Sequence, residues 1–244
     1  MKILAIDSST SKASVALLSD EEIVEKMEIQ DGKTHSEKLL PMIKRVIEEA
    51  GFKPVEIDCF AVAVGPGSFT GLRIGVTTIK AMAMAANKSC APVSSLDALA
   101  YNSRGFEGII CPLIDARNNQ AFSAIYICKA EELPLRMTEY MAKSIDEIVE
   151  DVKVLCKSHN LKNVLLNGDG AKKHIDVFSN RLGANDIICV VADESELLAN
   201  AVSTAKIACE MVKAGKTVQS HILVPEYLRK SSAEQIKEGI IFQK

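Results

Sequence analysis

Two aspartates stand where a nucleotide-using protein could hold a hydrated magnesium ion. Asp7 follows the apolar residues 3–6, and Asp115 follows a similar apolar run that ends at Ile114. Carboxylate oxygens suit Mg²⁺, and one carboxylate of such a pair could also act as a general base. The alternative is structural, because aspartate commonly accepts hydrogen bonds from the turn that follows it. The residue types leave both roles open.

A glycine-rich segment between two apolar patterns is the second feature that could do chemistry. The segment GPGSFTGLRIG, residues 65–75, follows an apolar run of strand length and precedes a run with helical spacing. Gly65, Gly67 and Gly71 can adopt the backbone angles that so sharp a turn needs. A helix start presents unpaired N–H groups and a partial positive charge. The turn could therefore hold an anion such as a phosphate.

Three polar residues in this segment bear on the same question. Ser68 and Thr70 could cap the helix or add donors for an anion. Arg73 lies near the helix start, where a cation is unfavourable by about 0.3–1 kcal/mol, and we therefore expect a negative group beside it. The alternative is a tight strand-to-helix connection with Arg73 paired to an internal carboxylate, since the segment matches neither the Walker loop nor G-x-G-x-x-G.

The histidines and serines do not form a recognisable catalytic set. The four histidines are widely separated, without H-x-x-x-H or H-E-x-x-H spacing, which argues against a metallopeptidase. Ser68 lacks the G-x-S-x-G context of a nucleophile elbow. We therefore expect no catalytic residue, no metal and no cofactor in this chain.

Composition limits the partners. The 29 Lys and Arg residues against 32 Asp and Glu give a formal net charge of −3, which leaves no basic excess for autonomous tRNA or DNA binding. The basic residues are scattered along the chain. No apolar run reaches the ~18 residues of a membrane span, so we expect a cytoplasmic protein with no membrane partner.

The seven cysteines lie mostly in apolar segments without C-x-x-C spacing, as expected for reduced core residues.

Apolar periodicity predicts the elements that position these residues. The pattern Thr34-x-x-Glu37 predicts a capping box before the first helix, and Pro41 predicts a kink or a separate first turn within it. Strands are expected at 3–6, 13–18, 23–29, 59–64 and 91–94, and helices at 39–50, 72–86 and 96–101.

The order of elements recurs in the second half of the chain. Asp7 and Asp115 are 108 residues apart in matching strand–turn–strand patterns, and Gly65 and Gly168 are 103 apart in matching strand–glycine-turn–helix patterns. Two matches at nearly one spacing indicate a duplicated unit. The sequence thus predicts an α/β protein with two βββαβαβα lobes facing a cleft, the pattern of the actin, sugar-kinase and heat-shock-chaperone (ASKHA) superfold.

The repeat also predicts the domain organisation. We expect an N-terminal lobe at 1–104, a C-terminal lobe at 105–192, and a C-terminal helix and tail at 193–244. A helix expected at 194–214 either finishes the second lobe or returns to the first.

The whole string GPGSFTGLRIG closely resembles the hallmark of the TsaB (YeaZ) family of bacterial tRNA threonylcarbamoyladenosine synthesis. Other stretches are similar to that family in the same order. They are ILAIDSSTSKASVAL at 3–17, HSEKLLPMI at 35–43, SSLDALA at 94–100, PLIDARNNQAF at 112–122 and PEYLR at 225–229.

The resemblance implies a noncatalytic subunit. It would pair with and activate a TsaD-like catalytic subunit, act beside a TsaE-like ATPase, contact tRNA only through that complex, and form a homodimer when alone. The implied partner surface lies on the first two helices, at His35, Leu39, Leu40, Ile43, Leu72, Gly75 and Ile79.

A second reading comes from the residues themselves. A small ATP-dependent phosphotransferase of the same superfold would use Asp7, Asp115 and both glycine turns. The chain is short for that function, since its second lobe leaves little room for an adenosine-binding insertion.

Overall fold

The computed structural model describes residues 1–29, 35–130 and 132–229. Its first half folds around one five-stranded sheet and is called lobe 1 here. The elements of lobe 1 are β1 (Lys2–Asp7), β2 (Ala13–Ser19), β3 (Glu22–Ile29), α1 (His35–Glu49), β4 (Cys59–Gly65), α2 (Phe69–Ala86), β5 (Ser89–Ser94) and α3 (Ser95–Asn102).

The second half, lobe 2, holds two sheets and is followed by a final helix. Its strands are β6 (Gly108–Pro112), β7 (Ile114–Asp115), β8 (Gln120–Ser123), β9 (Tyr126–Cys128), β10 (Leu135–Arg136), β11 (Met141–Ser144), β12 (Asn163–Asn167) and β13 (Ile188–Val191). Its helices are α4 (Ile145–His159) and α5 (Ala171–Gly183), and the helix that follows them is α6 (Ala201–Lys213).

Strand order confirms the duplication. The sheet of lobe 1 has the order β3-β2-β1-β4-β5, and the larger sheet of lobe 2 has the equivalent order β10-β9-β6-β12-β13. In each sheet the first hairpin is antiparallel, and the next two strands join in parallel. Parallel strands need a crossover connection, which α1 and α2 supply in lobe 1 and α4 and α5 supply in lobe 2.

Both faces of the central strands are buried. In β1, Ile3 and Ala5 face a core that both lobes share, while Leu4 and Ile6 face the layer formed by α1 and α2. Such a strand reads as a continuous apolar run. Helix α6 packs against β1, β2, β4 and β5 and also against α3, so it lies on the inner face of lobe 1. The predicted domain boundaries at 104/105 and 192/193 stay a prediction.

Several element bounds differ from expectation for local reasons. Helix α2 begins at Phe69 rather than at residue 72 because Ser68 caps it. Helix α1 runs through Pro41 without a separate first turn, while the predicted capping box falls on Thr34, outside the described residues. The expected helix at 194–214 begins only at Ala201, since the carbonyls of Glu196 and Leu198 accept hydrogen bonds from the Asn102 side chain instead.

The strands at the start of lobe 2 are also interrupted. The uniform three-strand meander expected in lobe 2 splits, so that β7, β8 and β11 form a small separate sheet. The break falls at Leu113, whose N–H donates to the carbonyl of Asn167 and whose carbonyl accepts from the N–H of Gly170.

The cysteines are core residues, as expected. All seven are free thiols and six are buried. Burial raises the pKa of the Cys59 and Cys90 thiols to about 11 and that of Cys111 to about 12. Neutral thiols are poor nucleophiles. No helix in the described part of the chain is long and apolar enough to cross a membrane.

A carboxylate clasp joins the two lobes. Asp97 in α3 accepts a 2.6 Å hydrogen bond from the Tyr126 hydroxyl through Oδ1 and another of 2.6 Å from the Tyr140 hydroxyl through Oδ2. The Arg136 guanidinium lies 4.0 Å from the centre of the Tyr140 ring. Burial and the neighbouring carboxylate raise the pKa of both phenols, so both remain protonated donors.

Removing one clasp donor is expected to destabilise the fold. Hydrogen bonds to a charged group contribute about 1.5–3 kcal/mol, so Tyr126→Phe and Tyr140→Phe should each lower the free energy of unfolding by about that amount. Urea denaturation measures the change. Tyr101→Phe is the matched control, because no hydrogen bond of its hydroxyl is found among the described residues, and it should change stability by less than about 0.5 kcal/mol. Clasp variants as mild as this control would contradict the prediction.

Candidate functional site at the glycine turn

The glycine turn packs against the chain's own backbone. Gly65 has φ of +127°, and a Cβ at that position would lie 2.6 Å from the carbonyl oxygen of Glu226. A Cβ on Gly67 would collide with the carbonyl of Ser9. Both glycines are therefore required by close backbone contacts, at positions where an anion-binding loop would leave open space.

Three backbone donors at the start of α2 are engaged within the chain. The N–H of Ser68 donates to the carbonyl of Ser9 over 2.7 Å, and the N–H of Leu72 donates to the carbonyl of Ser68 over 2.8 Å. The Ser68 hydroxyl accepts from the N–H of Gly71 at 3.2 Å. Ser68 thus acts as the helix cap, while Thr70 is exposed to solvent. Anion binding at this turn stays a prediction.

Asp7 organises the first turn of lobe 1. Its side chain is fully buried, and Oδ1 accepts from the Ser9 N–H at 2.9 Å and from the Ser9 hydroxyl at 2.7 Å. The Ser8 hydroxyl donates to the carbonyl of Gly71 over 2.8 Å, which ties this turn to α2. These contacts match the structural role that the sequence left open for Asp7.

Asp115 occupies the equivalent position in lobe 2 and is more exposed. Its Oδ1 accepts from the Arg117 N–H at 2.9 Å, and its Oδ2 lies 3.1 Å from the Lys173 ammonium. Burial opposes ionisation, but these two partners outweigh it and lower the pKa of Asp115. Burial raises the pKa of Asp169, which accepts from the Asp115 N–H. No contact among the described residues joins Asp115 to Asp7, so a shared magnesium site stays a prediction.

Aromatic rings, rather than an anion, lie beside Arg73. Its guanidinium is 4.1 Å from the centre of the Phe69 ring, and its Nε donates to the Tyr227 hydroxyl over 3.1 Å. The Phe69 and Tyr227 rings stack with centroids 4.9 Å apart. The negative group expected next to Arg73 is not found within the described part of the chain. A cation over an aromatic face is attracted to it, and this offsets the unfavourable helix dipole.

Sequence reasoning missed the segment that covers this turn, residues 216–229, which we call the C-terminal strap. Val218 pairs with Cys90 at the edge of β5, and the Lys80 ammonium binds the strap carbonyls of His221 and Leu223. Further along, the N–H of Glu226 donates to the carbonyl of Val64 over 2.8 Å.

The strap ends by crossing to lobe 2. There the Arg229 guanidinium donates to the carbonyl of Ala116 and to the Gln120 side chain. The tyrosine and arginine of PEYLR are the sequence signal for this segment. The residues around them do not indicate where the segment packs.

Lobe 2 repeats the glycine turn at Gly168. This residue has φ of +91°, and a Cβ there would collide with the carbonyl of Leu113. Its N–H donates to the carbonyl of Leu197 over 2.7 Å. His174 follows in α5 with 4% of its surface exposed, and its Nε2 has no hydrogen-bond partner among the described residues.

Most residues predicted for a partner surface are core residues. Leu39, Ile43 and Ile79 fill the layer between α1, α2 and the sheet. Leu72 and Gly75 are buried residues of α2. Leu40 is 60% exposed. The His35 side chain lies outside the described residues. The interface itself stays a prediction, but among the seven named residues only Leu40 is shown to present apolar surface.

The other histidines do not converge. His159 lies exposed at the end of α4 and His221 lies in the strap. Among the described residues, the only close group of three potential metal ligands comprises Glu21, Cys209 and Glu210. The Lys213 ammonium bridges the two carboxylates of that group, so it already offsets half of their negative charge.

Comparison with known proteins gives consistent results. Residues 23–237 match the family TsaD: tRNA N6-adenosine threonylcarbamoyltransferase. The chain is 30% identical over 243 residues to the tRNA threonylcarbamoyladenosine biosynthesis protein TsaB of Bacillus subtilis (strain 168), and 31% identical over 242 residues to TsaB of Escherichia coli (strain K12). Each match covers 96% of this chain and 96% of the relative.

Solved structures agree with these relatives. A Pseudomonas aeruginosa protein described as similar to the peptidase YEAZ superposes with a TM-score of 0.78 at 26% identity, covering 93% of this chain and 99% of that one. A ROK hexokinase from Thermus thermophilus superposes with a TM-score of 0.52 at 14% identity, covering 87% of this chain and 100% of the hexokinase. The hexokinase likeness concerns the fold alone.

Fold and glycine turns together define a two-lobed protein of the ASKHA superfold. The chain belongs to the TsaD family and, within it, to the TsaB (YeaZ) group of tRNA threonylcarbamoyladenosine biosynthesis proteins.

Substituting Gly65 tests the close packing of the strap. Gly65→Ala should lower the free energy of unfolding by about 2–4 kcal/mol, because the new Cβ meets the Glu226 carbonyl and the residue must keep a positive φ. Thermal or urea unfolding measures the loss. The matched control is Gly183→Ala, at a helical position with no atom within 4 Å of the new Cβ. It should be neutral or stabilising by up to about 1 kcal/mol. Equal effects would contradict the packing argument.

The buried imidazole of His174 should make stability depend on pH. Burial, together with the nearby Lys173 charge, lowers the pKa of His174 in the folded chain. The unfolded chain binds this proton as pH falls through about 6.5, while the folded chain does not until a lower pH, so the free energy of unfolding falls. Urea unfolding at pH 7.5 and 5.5 should show a smaller decline for His174→Gln. His159→Gln, at an exposed site, should decline like the unsubstituted chain; parallel declines for all three proteins would refute the assignment.

Proposed function

We propose that this protein is a noncatalytic subunit that pairs with a TsaD-like catalytic subunit and activates it in tRNA threonylcarbamoyladenosine synthesis. A TsaE-like ATPase completes the assembly, and tRNA reaches this chain within the complex. In the absence of its partner the chain forms a homodimer. Family membership supports the pathway, and the surface chemistry of one helix supports the role.

The exposed face of α2 is the observation that carries this proposal. Helix α2 spans 18 residues, yet its exposed positions carry one charge, at Arg73. Its other cation, Lys80, is half-buried and binds carbonyls of the strap. The other exposed residues on this helix are apolar or small, namely Phe69, Thr70, Thr77, Ala81, Met84 and Ala85. Small residues let a second helix approach closely, and Met84, 70% exposed, would fill a gap in such a contact.

Helix α5 of lobe 2 provides an internal comparison. It follows the equivalent glycine turn in the duplicated fold, but its exposed positions include the charged residues Lys172, Lys173 and Asp176. Interface cores are depleted of charged residues relative to the rest of a surface. The contrast therefore favours lobe 1 as the partner-binding lobe. Leu40 on the neighbouring helix α1 extends the uncharged surface.

Two positions that could take part in catalysis, Asp7 and the glycine turn, make contacts within the chain that support the noncatalytic role. The Asp7 carboxylate is buried and bound to the next turn. The backbone of the C-terminal strap lies against Gly65 at the glycine turn. In the phosphotransferase alternative both features would have to face a nucleotide.

A charge placed in the proposed interface should disrupt the complex. Met84→Asp and Leu40→Asp should each weaken binding of the TsaD-like subunit by at least about tenfold, because the carboxylate would be buried without a partner. Val154→Asp is the matched control, since Val154 is 64% exposed on α4. Light scattering of each variant with and without the catalytic subunit measures binding and the homodimer together.

The outcome also separates the two candidate functions. Unsubstituted protein should restore threonylcarbamoylation of unmodified tRNA only when mixed with its partner subunits. Failure to bind the catalytic subunit at micromolar concentration would overturn the scaffold role. Turnover of Mg-ATP by the isolated chain would support the phosphotransferase instead.

A further inference from the structure

Three arginines that are distant in sequence lie on segments that meet where the strap crosses from lobe 1 to lobe 2. Arg73 is joined to Tyr227 by a 3.1 Å hydrogen bond, and Arg229 lies two residues further along the strap. Arg229 in turn donates to the carbonyl of Ala116, the residue before Arg117. We call Arg73, Arg117 and Arg229 the arginine rim.

The positive charges of the rim have no acidic counterpart among the described residues. Arg73 binds a phenol and a ring, and Arg229 binds a backbone carbonyl and a side-chain amide. In contrast, Arg45 pairs with Glu49 and Arg181 pairs with both Asp146 and Glu150.

The acidic groups nearest the rim do not change this balance. Asp115 is held by Lys173. Glu226 is exposed and makes no ion pair with a described residue, and Asp169 accepts from the Asp115 N–H. The three arginines and Lys173 still outnumber these three carboxylates by one charge.

The turn that carries Arg117 is held in an unusual conformation. Three successive residues, Arg117, Asn118 and Asn119, have φ of 63°, 50° and 56°. Asparagine tolerates this left-handed region, but a long side chain such as arginine rarely adopts it. All three residues are exposed, so core packing does not explain why an arginine stands there.

We propose that the arginine rim binds the phosphate backbone of RNA, with the exposed ring of Tyr227 offering a face on which a base can stack. Guanidinium groups bind phosphates through paired hydrogen bonds, and aromatic side chains beside a basic surface suit unpaired nucleotides. This inference deepens the proposed function, since it names where this subunit touches the tRNA of the complex.

The net charge of the chain restricts RNA to this surface. With a formal charge of −3, most of the molecule repels a polyanion. The rim contributes only a few phosphate contacts, so it adds to an affinity that the catalytic subunit shares. The salt dependence of RNA binding reports the number of such contacts, because each contact adds about 0.7–0.9 to the slope of log affinity against log salt concentration.

The decisive variant is Arg117→Gly. Glycine adopts the left-handed region freely, so this chain should be at least as stable as the unsubstituted one while it loses a phosphate contact. Fluorescence anisotropy with a labelled, unmodified tRNA transcript should show weaker binding by the complex of this chain with the TsaD-like subunit. For Arg117→Gly combined with Arg229→Gln, the affinity should fall about tenfold and the salt slope by roughly 1.5. Arg117→Lys should keep the slope, because the charge remains.

A matched control lies at the other end of lobe 2. Arg104 is exposed and stacks on Tyr101, as Arg73 stacks on Phe69. Arg104 precedes the start of β6, whereas Arg117 follows the end of β7. Extended chain from the start of β6 to the end of β7 has a length of about 23 Å, so Arg104 lies away from the rim. Arg104→Ala should leave both affinity and salt slope unchanged.

The outcomes distinguish this inference from the proposed function. Unchanged tRNA affinity in the double variant, in a complex that still assembles and modifies tRNA, would overturn the RNA-binding role of the rim alone. Loss of catalytic-subunit binding in the double variant would assign the rim to the protein interface and also overturn it. Failure of the unsubstituted complex to modify tRNA would instead refute the proposed function.

Discussion

Burial of both faces of the central strands is the constraint on which the rest of the structure depends. The inner faces of the two sheets share one apolar core with α3 and α6, in which Ile3 and Ala61 of lobe 1 join Ile110 and Leu165 of lobe 2. Because that core belongs to both lobes, neither sheet can bury its inner face alone. The Asp97 clasp adds directional hydrogen bonds across the same junction.

This shared core determines which surfaces are available for function. The inner faces are filled, so the outer helix layers and the exposed connecting segments are the surfaces left for other molecules. In lobe 2 that layer is charged and is well solvated by water. In lobe 1 the exposed residues of α2 are mostly small and nearly all uncharged, which suits close packing by a helix from a protein of related fold.

The glycine turn is a motif that both halves of the duplicated fold keep. Its sharp geometry is repeated at Gly65 and Gly168, yet both turns approach backbone of the same chain. At Gly65 the neighbour is the strap, which also orients Tyr227 toward Arg73 and carries Arg229 to lobe 2. The partner surface proposed on α2 and the RNA surface proposed at the rim are therefore adjacent.

The sequence by itself determined the elements and their duplication. Apolar alternation, the helical spacing of α1 and the glycine between β4 and α2 act over a few residues, so they can be read locally. The turn-capping contacts of Asp7 and Ser68 are also local, so the residue types alone allow them to be predicted. Only the tertiary structure decided that Leu39 and Ile79 are core residues, that Arg73 faces Tyr227, and that Asp97 binds two tyrosines. Those contacts join residues dozens to more than a hundred positions apart, and their formation depends on how the sheets and helices pack, which no short stretch of sequence encodes.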